Sequence, residues 1–485
     1  MSLLDGETWS GKLFINGWTE GSGGVRAVVA PATGYELGSV GLATPEDVYR
    51  AASLAAEAQR DWAKTPPETR AAVLRRAGDL WLKHAEEVQG WLVREAGSIQ
   101  PKAELETQIA ASECFEAAAL PTHPQGNVLP SNEDRWSFAR RRPAGVVSVI
   151  APFNFPLILS IRSVAPAIAL GNAVILKPDP RTAVAGGVTL VRIFEEAGLP
   201  AGILQLVNGG VEIGEAVVEA PDVRVVSFTG STAAGRRVGE LGARKLKRVH
   251  LELGGNNALI VLPGADLAKA ASAGAFGSFM HQGQICMTTG RHLVHESIHD
   301  EYVDALAAKA AHLPVGDPAT GQVALGPLID AGQLARVDSI VQDSVAAGAR
   351  LAAGGTYTGL FYNPTVLSDV QVGHRAWSEE IFGPVAPVLP FRTVDEAIEI
   401  ARDVEYGLSL GILGDVGMAM RVADAVPSGI VHINEQTVSD EANAPFGGVA
   451  ASGTGSRFGG AEANIDAFTE TQWLTVRAEI ATYPF

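Results

Sequence analysis

The sequence predicts an α/β protein with more than one domain. Its 485 residues are too many for a single hydrophobic core, so two or three domains are expected. From Gly145 onward, short apolar runs rich in β-branched residues, such as residues 146–150 and 173–177, alternate with helical patterns. This alternation favours a mostly parallel sheet that is covered by helices on both faces.

The remaining elements follow in chain order. Residues 12–17 predict short strands around an Asn16-Gly17 turn, and Ala-rich helical patterns run from Pro45 to about Ala119. The polar stretch 121–135 predicts an extended segment, because it contains three prolines. Within the first alternating block a helix is expected over 184–197. A second block runs from about 257 to 434, and residues 472–476 form one more β-like segment.

Composition limits the classes of partner. The net charge of −17 and the pI near 5.1 disfavour nucleic acid or an anionic membrane as the main partner. Cys114 and Cys286 are too few for a disulfide framework, which suits a reducing cytoplasm. We expect no signal peptide, membrane span or metal site, because no basic-then-apolar leader, long apolar run or cysteine–histidine cluster is present.

Three short motifs carry groups suited to acyl chemistry. Cys286, in Gln282-Gly283-Gln284-Ile285-Cys286, offers a thiol that can attack carbon, and Glu252, in Glu252-Leu253-Gly254-Gly255-Asn256, offers a carboxylate that can activate water. Asn154, between two phenylalanines, offers an amide able to stabilise an oxyanion. Taken singly, Cys286 and Glu252 are more often structural than catalytic, and Asn154 serves a turn equally well. Cys114 in its Ala-rich helix is expected to be a buried thiol. Their joint occurrence favours an enzyme that forms a thioester.

A fourth motif points to a dinucleotide. Gly230 and Ser231 lie in Phe228-Thr229-Gly230-Ser231-Thr232, between a predicted strand and a predicted helix, where backbone N–H groups can bind a pyrophosphate. The spacing departs from G-x-G-x-x-G, so the motif alone leaves an ordinary strand–helix turn as an alternative. Lys177, at the end of a predicted strand, can reach a ribose or an adenosine phosphate, although a solvated lysine is the simpler interpretation.

Together these motifs resemble the aldehyde dehydrogenase superfamily, over nearly the whole chain. Within it the chain is most similar to bacterial benzaldehyde dehydrogenases, with vanillin and salicylaldehyde dehydrogenases as near relatives. The stretches that carry this closer similarity are 176–179, 281–284, 290–295, 431–434 and the ending Tyr483-Pro484-Phe485.

The resemblance implies the aldehyde dehydrogenase fold, a homodimer or homotetramer, and three units. A Rossmann-like dinucleotide-binding domain would comprise residues 1–118 and 140–253, with part of 435–465. An α/β catalytic domain would comprise residues 254–434, and a small β oligomerisation element would comprise residues 119–139 and 466–485.

The resemblance also implies NAD(P)-dependent oxidation of an aromatic, benzaldehyde-like aldehyde to its acid. Cys286 would attack the aldehyde, Asn154 and the Cys286 backbone N–H would hold the oxyanion, and Glu252 would activate the water that hydrolyses the thioester. Glu380 would bind the nicotinamide ribose, and Phe382 would pack beside it. NAD is the expected cofactor, with NADP as an alternative, because Pro180 stands where NAD-preferring members often carry a glutamate.

The predicted substrate pocket is apolar. Flat aromatic aldehydes suit such walls through stacking and methionine–aromatic contacts. Arg162 is the exception to this apolar pattern. If its side chain reaches the pocket, a substrate with an acidic group could be accommodated. The six residues that the resemblance places around the pocket are Phe155, Ile158, Leu159, Ile285, Met287 and Phe446.

Three other functions compete with this interpretation. The substrate can belong to another aldehyde class, namely vanillin, salicylaldehyde, an aliphatic aldehyde or a semialdehyde. A CoA-acylating enzyme would pass the acyl group to CoA, but such enzymes generally lack the base that Glu252 represents. A non-catalytic binding protein would have no need of Cys286, Glu252 and Asn154 together.

Overall fold

Two seven-stranded sheets carry the fold of residues 2–485, the part of the chain that the computed structural model describes. In the first sheet five parallel strands are extended by an antiparallel N-terminal hairpin. Every residue of Val146–Ile150 and Ala173–Lys177 is buried, as expected for central parallel strands with helices on both faces. The strand order is Arg248–Glu252, Val223–Thr229, Val146–Ile150, Ala173–Lys177, Leu204–Leu206, Lys12–Phe14 and Trp18–Glu20.

Helices cover both faces of this sheet. The first long helix begins where the sequence predicts, because Thr44 and Asp47 form a reciprocal capping box and Pro45 occupies its first turn. A separate hairpin, Val25–Val29 with Glu36–Gly41, precedes it. The helices are Gly6–Trp9, Pro45–Trp62, Pro67–Lys83, Ala85–Ala96, Gln100–Ala119, Pro156–Ala169, Thr189–Glu196, Val211–Glu219, Thr232–Arg244 and Ala461–Phe468.

The predicted helix over 184–197 is wrong in its first turn. Residues Val184–Val188 form a π-helical turn, and the α-helix covers only Thr189–Glu196. Gly186 packs against Pro156, and the buried carboxylate of Glu95 accepts hydrogen bonds from the backbone N–H groups of Val184 (2.9 Å) and Ala185 (2.6 Å). These contacts from other elements hold the turn in a form that local propensity does not indicate.

The second sheet is also mostly parallel, with one antiparallel edge strand. The chain changes from the first sheet to the second between Glu252 and Asn257. Its strand order is Arg350–Ala353, Thr365–Ser368, Val385–Phe391, Thr289–His295, Asn257–Val261, Ser409–Leu413 and Ile430–Ile433. Its helices are Leu267–Phe279, His299–His312, Ala331–Ala346, Arg375–Ser378, Val394–Arg402 and Val416–Ala425.

A third, three-stranded sheet joins two distant parts of the chain. Thr469–Val476 pairs antiparallel with Trp136–Pro143, which pairs in turn with Gly126–Val128. The strand Trp136–Pro143 continues past residue 139, the boundary expected from the sequence. Trp136 and Trp473 are 66% and 67% exposed, so this sheet presents large apolar side chains to its surroundings.

Short elements complete the fold. Three 3-10 turns lie at Leu120–Thr122, Met280–Gly283 and Glu296–Ile298. Two short antiparallel strand pairs are formed by Tyr357–Thr358 with Phe361–Tyr362 and by Tyr406–Gly407 with Val449–Ala450. None of the helices within residues 2–485 has the length and apolarity needed to cross a bilayer. Over the same residues, no three histidine, cysteine, aspartate or glutamate side chains converge to hold a metal ion.

Candidate active site

Cys286 lies in a tightly held loop between the 3-10 turn Met280–Gly283 and the strand Thr289–His295. His281 and Gln282 adopt left-handed backbone conformations, with φ of 48° and 57°. A Cβ on Gly283 would lie 2.1 Å from the carbonyl oxygen of Gly383, so no larger residue fits there. Such strained, closely packed backbone is characteristic of functional sites.

Two cavities meet at this loop, and Cys286 and Asn154 line both of them. One cavity has a volume of about 200 Å³ and mostly apolar walls. The other has a volume of about 610 Å³ and is lined by Lys177, Gly230 and Glu380 among others. The thiol and the amide therefore lie where a reactant in the first cavity would meet a ligand in the second.

Burial raises the pKa of the Cys286 thiol to about 12. The negative charges of Glu380 and Glu252 add to this effect, and the guanidinium of Arg162 opposes it. In the ligand-free protein the group is therefore held as a thiol. Cys114 is fully buried, and burial raises its pKa further, as expected for a structural cysteine.

Asn154 faces the cysteine loop. Its side-chain amide donates a hydrogen bond to the carbonyl oxygen of Gln284 (2.8 Å), and the Gln284 side chain accepts one from the Ile329 N–H (3.0 Å). An amide NH₂ carries two donors, so one N–H of Asn154 remains to bind another acceptor. The buried Oδ1 of Asn154 has no partner within residues 2–485.

Glu252 ends the last strand of the first sheet and is buried. Its Oε2 accepts a hydrogen bond from the Gly448 N–H (3.3 Å), and its side chain lines neither cavity in this conformation. Burial raises its pKa well above that of an ordinary glutamate, although the positive charges of Arg162 and Arg457 oppose the shift. The structure brings Glu252 within electrostatic range of Cys286 without placing it in contact with either cavity.

The larger cavity gathers the predicted cofactor residues. Ser231 is the N-cap of the helix Thr232–Arg244, and its hydroxyl accepts a hydrogen bond from the Ala234 N–H (3.3 Å). At the other end, Glu380 Oε1 accepts a hydrogen bond from the Gly255 N–H (3.0 Å), and burial raises the Glu380 pKa to about 7. The five predicted residues that line this cavity are Lys177, Gly230, Ser231, Glu380 and Phe382.

The sequence did not indicate several other residues of this cavity. Gln333 and Arg336 project from the helix Ala331–Ala346, where they donate hydrogen bonds to the carbonyl oxygens of Phe382 (2.7 Å) and Glu380 (2.9 Å). These two residues lie in no recognisable sequence motif. Tertiary packing decides which face of their helix is turned toward the cavity, so the sequence alone does not single them out. The other lining residues that were missed include Asp179, Arg181 and Tyr406.

The smaller cavity is bounded by all six residues predicted for the substrate pocket. These six share one buried apolar cluster with Leu408. The sequence did not indicate Leu105 and Ile109, which come from the helix Gln100–Ala119, or Phe276 and Met280. The six residues are Phe155, Ile158, Leu159, Ile285, Met287 and Phe446.

Arg162 also reaches this cavity, together with Ser439 and Asp440. Its buried guanidinium forms an ion pair with Asp440 and lies 4.4 Å from the centre of the Phe446 ring. The nearby carboxylate thus balances the positive charge, and one side of an otherwise apolar cavity is polar.

The chain matches the aldehyde dehydrogenase family model over residues 18–474, and it belongs to that family. A vanillin dehydrogenase from Amycolatopsis sp. is 64% identical over 486 residues, which cover 100% of both chains. A benzaldehyde dehydrogenase [NAD(+)] from Pseudomonas putida is 47% identical over 479 residues, covering 98% of each. These relatives agree with the predicted superfamily and with the predicted closeness to benzaldehyde and vanillin dehydrogenases.

A solved structure supports the same assignment. The salicylaldehyde dehydrogenase from Pseudomonas putida G7, crystallised with salicylaldehyde, superposes with a TM-score of 0.94 at 36% identity. The similarity covers 98% of this chain and 99% of that one. The predicted aldehyde dehydrogenase fold is therefore confirmed.

We expect alkylation of Cys286 by iodoacetamide to become faster with increasing pH well beyond pH 9. The thiolate is the reactive form, and a raised pKa makes its fraction grow about tenfold per pH unit, whereas an ordinary thiol with a pKa near 8.5 levels off. The measurement is the second-order rate constant from pH 6.5 to 10 on the ligand-free protein. Cys286→Ser, which leaves only buried Cys114, is the control, and a plateau below pH 9 would contradict the expectation.

Proposed function

We propose that this protein oxidises an aromatic aldehyde to the carboxylic acid with NAD(P) and forms a covalent thioester at Cys286. The observation that carries the proposal is that Cys286 and Asn154 lie where the apolar cavity meets the larger cavity, which Lys177 and Glu380 line. An aldehyde held against the apolar walls then presents its carbonyl carbon to the thiol and its oxygen to the amide.

The first steps belong to Cys286 and Asn154. Cys286 gives up its proton to solvent and attacks the aldehyde carbon as the thiolate, and the free N–H of Asn154, with the backbone N–H of Cys286, stabilises the oxyanion of the thiohemiacetal. Loss of one such donor costs about 3–4 kcal/mol of barrier lowering. NAD or NADP, when bound, supplies the acceptor for the hydride that leaves this carbon. Cys286 then carries the acyl group as a thioester.

Glu252 acts next as the general base. It removes a proton from the water that attacks the thioester, and the acid is released. Burial raises its pKa well above that of an ordinary glutamate, which makes its carboxylate a stronger base but leaves less of it ionised at a given pH. Since Glu252 points toward the Gly448 N–H here, its carboxyl group must turn toward Cys286 in order to act.

The larger cavity has the features that a dinucleotide requires. A helix N-terminus at Ser231 suits the pyrophosphate, the Glu380 carboxylate suits the nicotinamide ribose, and Lys177 suits the adenosine ribose. Arg181 is paired with Asp179 and Asp330, so it is not free to bind a 2′-phosphate, and NAD is proposed as the cofactor. Because Pro180 provides no carboxylate that would repel a 2′-phosphate, NADP is also accepted.

The apolar cavity favours aromatic aldehydes over aldehydes with a second carboxylate. Aromatic rings suit the Phe155, Met287 and Phe446 walls. Arg162 is already paired with Asp440, so it offers little net charge to an acidic substrate. Together with Ser439 these groups form a polar side that can bind a ring hydroxyl, which keeps vanillin and salicylaldehyde among the candidates.

The assembly and its setting are proposed on the same basis. The exposed tryptophans of the three-stranded sheet suit contact with a second copy, as a homodimer or homotetramer. The three sheets support a division into a dinucleotide-binding domain (1–118, 140–253 and part of 435–465), a catalytic domain (254–434) and an oligomerisation element (119–139 and 466–485). The two free cysteines suit a reducing cytoplasm.

Glu252→Gln should retain a first-turnover burst of reduced cofactor while steady-state turnover falls about 10²–10⁴-fold. The reason is that acylation needs Cys286 and Asn154, whereas hydrolysis of the thioester needs the base. Rapid-mixing absorbance at 340 nm separates the two steps. Wild-type deacylation should become faster with increasing pH, because the active carboxylate form of Glu252 grows as pH passes its raised pKa, and the variant should lose this dependence.

Cys286→Ala is the control for the Glu252 experiment and should show no burst and no turnover. A Glu252→Gln enzyme that loses the burst but still hydrolyses a preformed thioester would assign the carboxylate to the wrong step. Turnover retained by Cys286→Ala would remove the nucleophile from the proposal.

A substrate panel tests the aldehyde class. Benzaldehyde, vanillin and salicylaldehyde should exceed acetaldehyde in kcat/KM by about 30-fold or more, because burying a ring contributes about 2 kcal/mol or more. Succinic semialdehyde should rank with the aliphatic aldehyde, since Asp440 neutralises Arg162. Each substrate is measured with NAD and with NADP, and with CoA added to detect acyl transfer. Equal kcat/KM for aromatic and aliphatic substrates would contradict the proposed pocket.

A further inference from the structure

A buried ion pair lies behind the Asn154 loop. Lys102 and Glu106 sit one turn apart on the helix Gln100–Ala119, and both side chains are fully buried. A buried pair of this kind is costly to desolvate and is weak evidence for stability. The contacts that the two side chains make indicate another role.

Lys102 holds the backbone of the loop. Its Nζ donates hydrogen bonds to the carbonyl oxygen of Asn154 (2.7 Å), to the hydroxyl of Ser98 (3.1 Å) and to Glu106. The ammonium also lies 4.3 Å from the centre of the Phe155 ring. The three donors of the lysine are thus all used, and one of them fixes the peptide group of Asn154 itself.

Glu106 holds the start of the next helix. Its Oε2 accepts a hydrogen bond from the backbone N–H of Leu157 (3.1 Å), in the first turn of Pro156–Ala169. The residue at the N-cap position is Phe155, whose side chain cannot cap, although a helix start normally uses a local serine, threonine, aspartate or asparagine. Glu106 therefore caps this helix from 51 residues away along the chain.

The remote cap has a chemical reason. The polar residue that comes just before this helix in the sequence is Asn154, but its amide points toward the cysteine loop, where it donates a hydrogen bond to the carbonyl oxygen of Gln284. An asparagine used as a cap would not be available to an oxyanion. The ion pair supplies the cap and the backbone bond from behind, so that the Asn154 amide stays directed at Cys286.

We propose that Lys102 and Glu106 are positioning residues of the oxyanion site and act on the reaction through Asn154. This inference rests on the role proposed above for Asn154. Neither side chain lines the cavities at Cys286, so both act through the backbone that they hold.

Lys102→Met should lower the first-turnover rate of reduced-cofactor formation about 10- to 100-fold, because small displacements of a catalytic donor have effects of this size. Cofactor affinity should stay at the wild-type level, since Lys102 makes no hydrogen bond to Lys177, Ser231 or Glu380. The variant is compared with wild type, Asn154→Ala and Lys102→Met/Asn154→Ala in a double-mutant cycle on this rate. In the Asn154→Ala background, Lys102→Met should have almost no further effect.

Glu95→Gln is the matched control. Glu95 is another fully buried glutamate that caps a distant backbone segment, at Val184 and Ala185, but it makes no contact with Asn154. It should lower thermal stability and leave the first-turnover rate within about twofold of wild type, as expected for a residue outside the coupled pair. If Lys102→Met does not fold, Lys102→Met/Glu106→Gln, which removes both charges, enters the cycle in its place.

The outcomes separate the two proposals. If Asn154→Ala leaves the first-turnover rate unchanged, the oxyanion role of Asn154 fails. If Asn154→Ala slows that rate but Lys102→Met does not, or if Lys102→Met slows the Asn154→Ala enzyme as strongly as wild type, only the positioning role is overturned. A slow rate for Glu95→Gln as well would also overturn it, because loss of any buried cap would then suffice.

Discussion

The site depends on a short crossing between the two large sheets, from Glu252 to Asn257. Asn257 is the residue that ties this crossing to the nucleophile. Its side-chain amide donates hydrogen bonds to the carbonyl oxygens of Cys286 and Thr288, both at 2.8 Å, and its Oδ1 accepts one from the Ser409 N–H at 2.9 Å. One buried amide therefore fixes the cysteine loop to the central strands, and it does so within five residues of the proposed base.

Burial of the site changes the ionisation of its reactive groups. Cys286 lies near Glu252 and Glu380, so desolvation and like charge both disfavour the thiolate, and both carboxyl groups have raised pKa values. The positive charge of Arg162 opposes the shift at Cys286 and, together with Arg457, the shift at Glu252, but Arg162 is itself paired with Asp440. The balance favours the protonated thiol in the ligand-free protein, and the thiol is a poorer nucleophile than the thiolate.

The sequence predicted the parts of the site that lie in local motifs. Cys286 and Asn154 could be singled out because each lies in a short loop with glycine, proline or aromatic neighbours, and strand–helix alternation predicted the two sheets. Glu380 was assigned only through the resemblance to the family. Arg336 and Leu105 could not be found, since they lie on helix faces that only tertiary packing orients. The π-turn after residue 183 was missed for a similar reason, as its backbone is held by a carboxylate from another helix.

Two of the helices that cover the first sheet also hold backbone groups of other segments. Glu95 on Ala85–Ala96 and Glu106 on Gln100–Ala119 each reach into the domain to hold backbone N–H groups that have no local partner. Both glutamates have raised pKa values because they are buried, so each is useful only where a backbone donor compensates for its desolvation. On the proposed roles, Asn154 is reserved for the oxyanion, and the cap of the adjacent helix comes from Glu106, which lines neither cavity. A sequence pattern records the reactive residues, whereas this division of work is visible only in the folded chain.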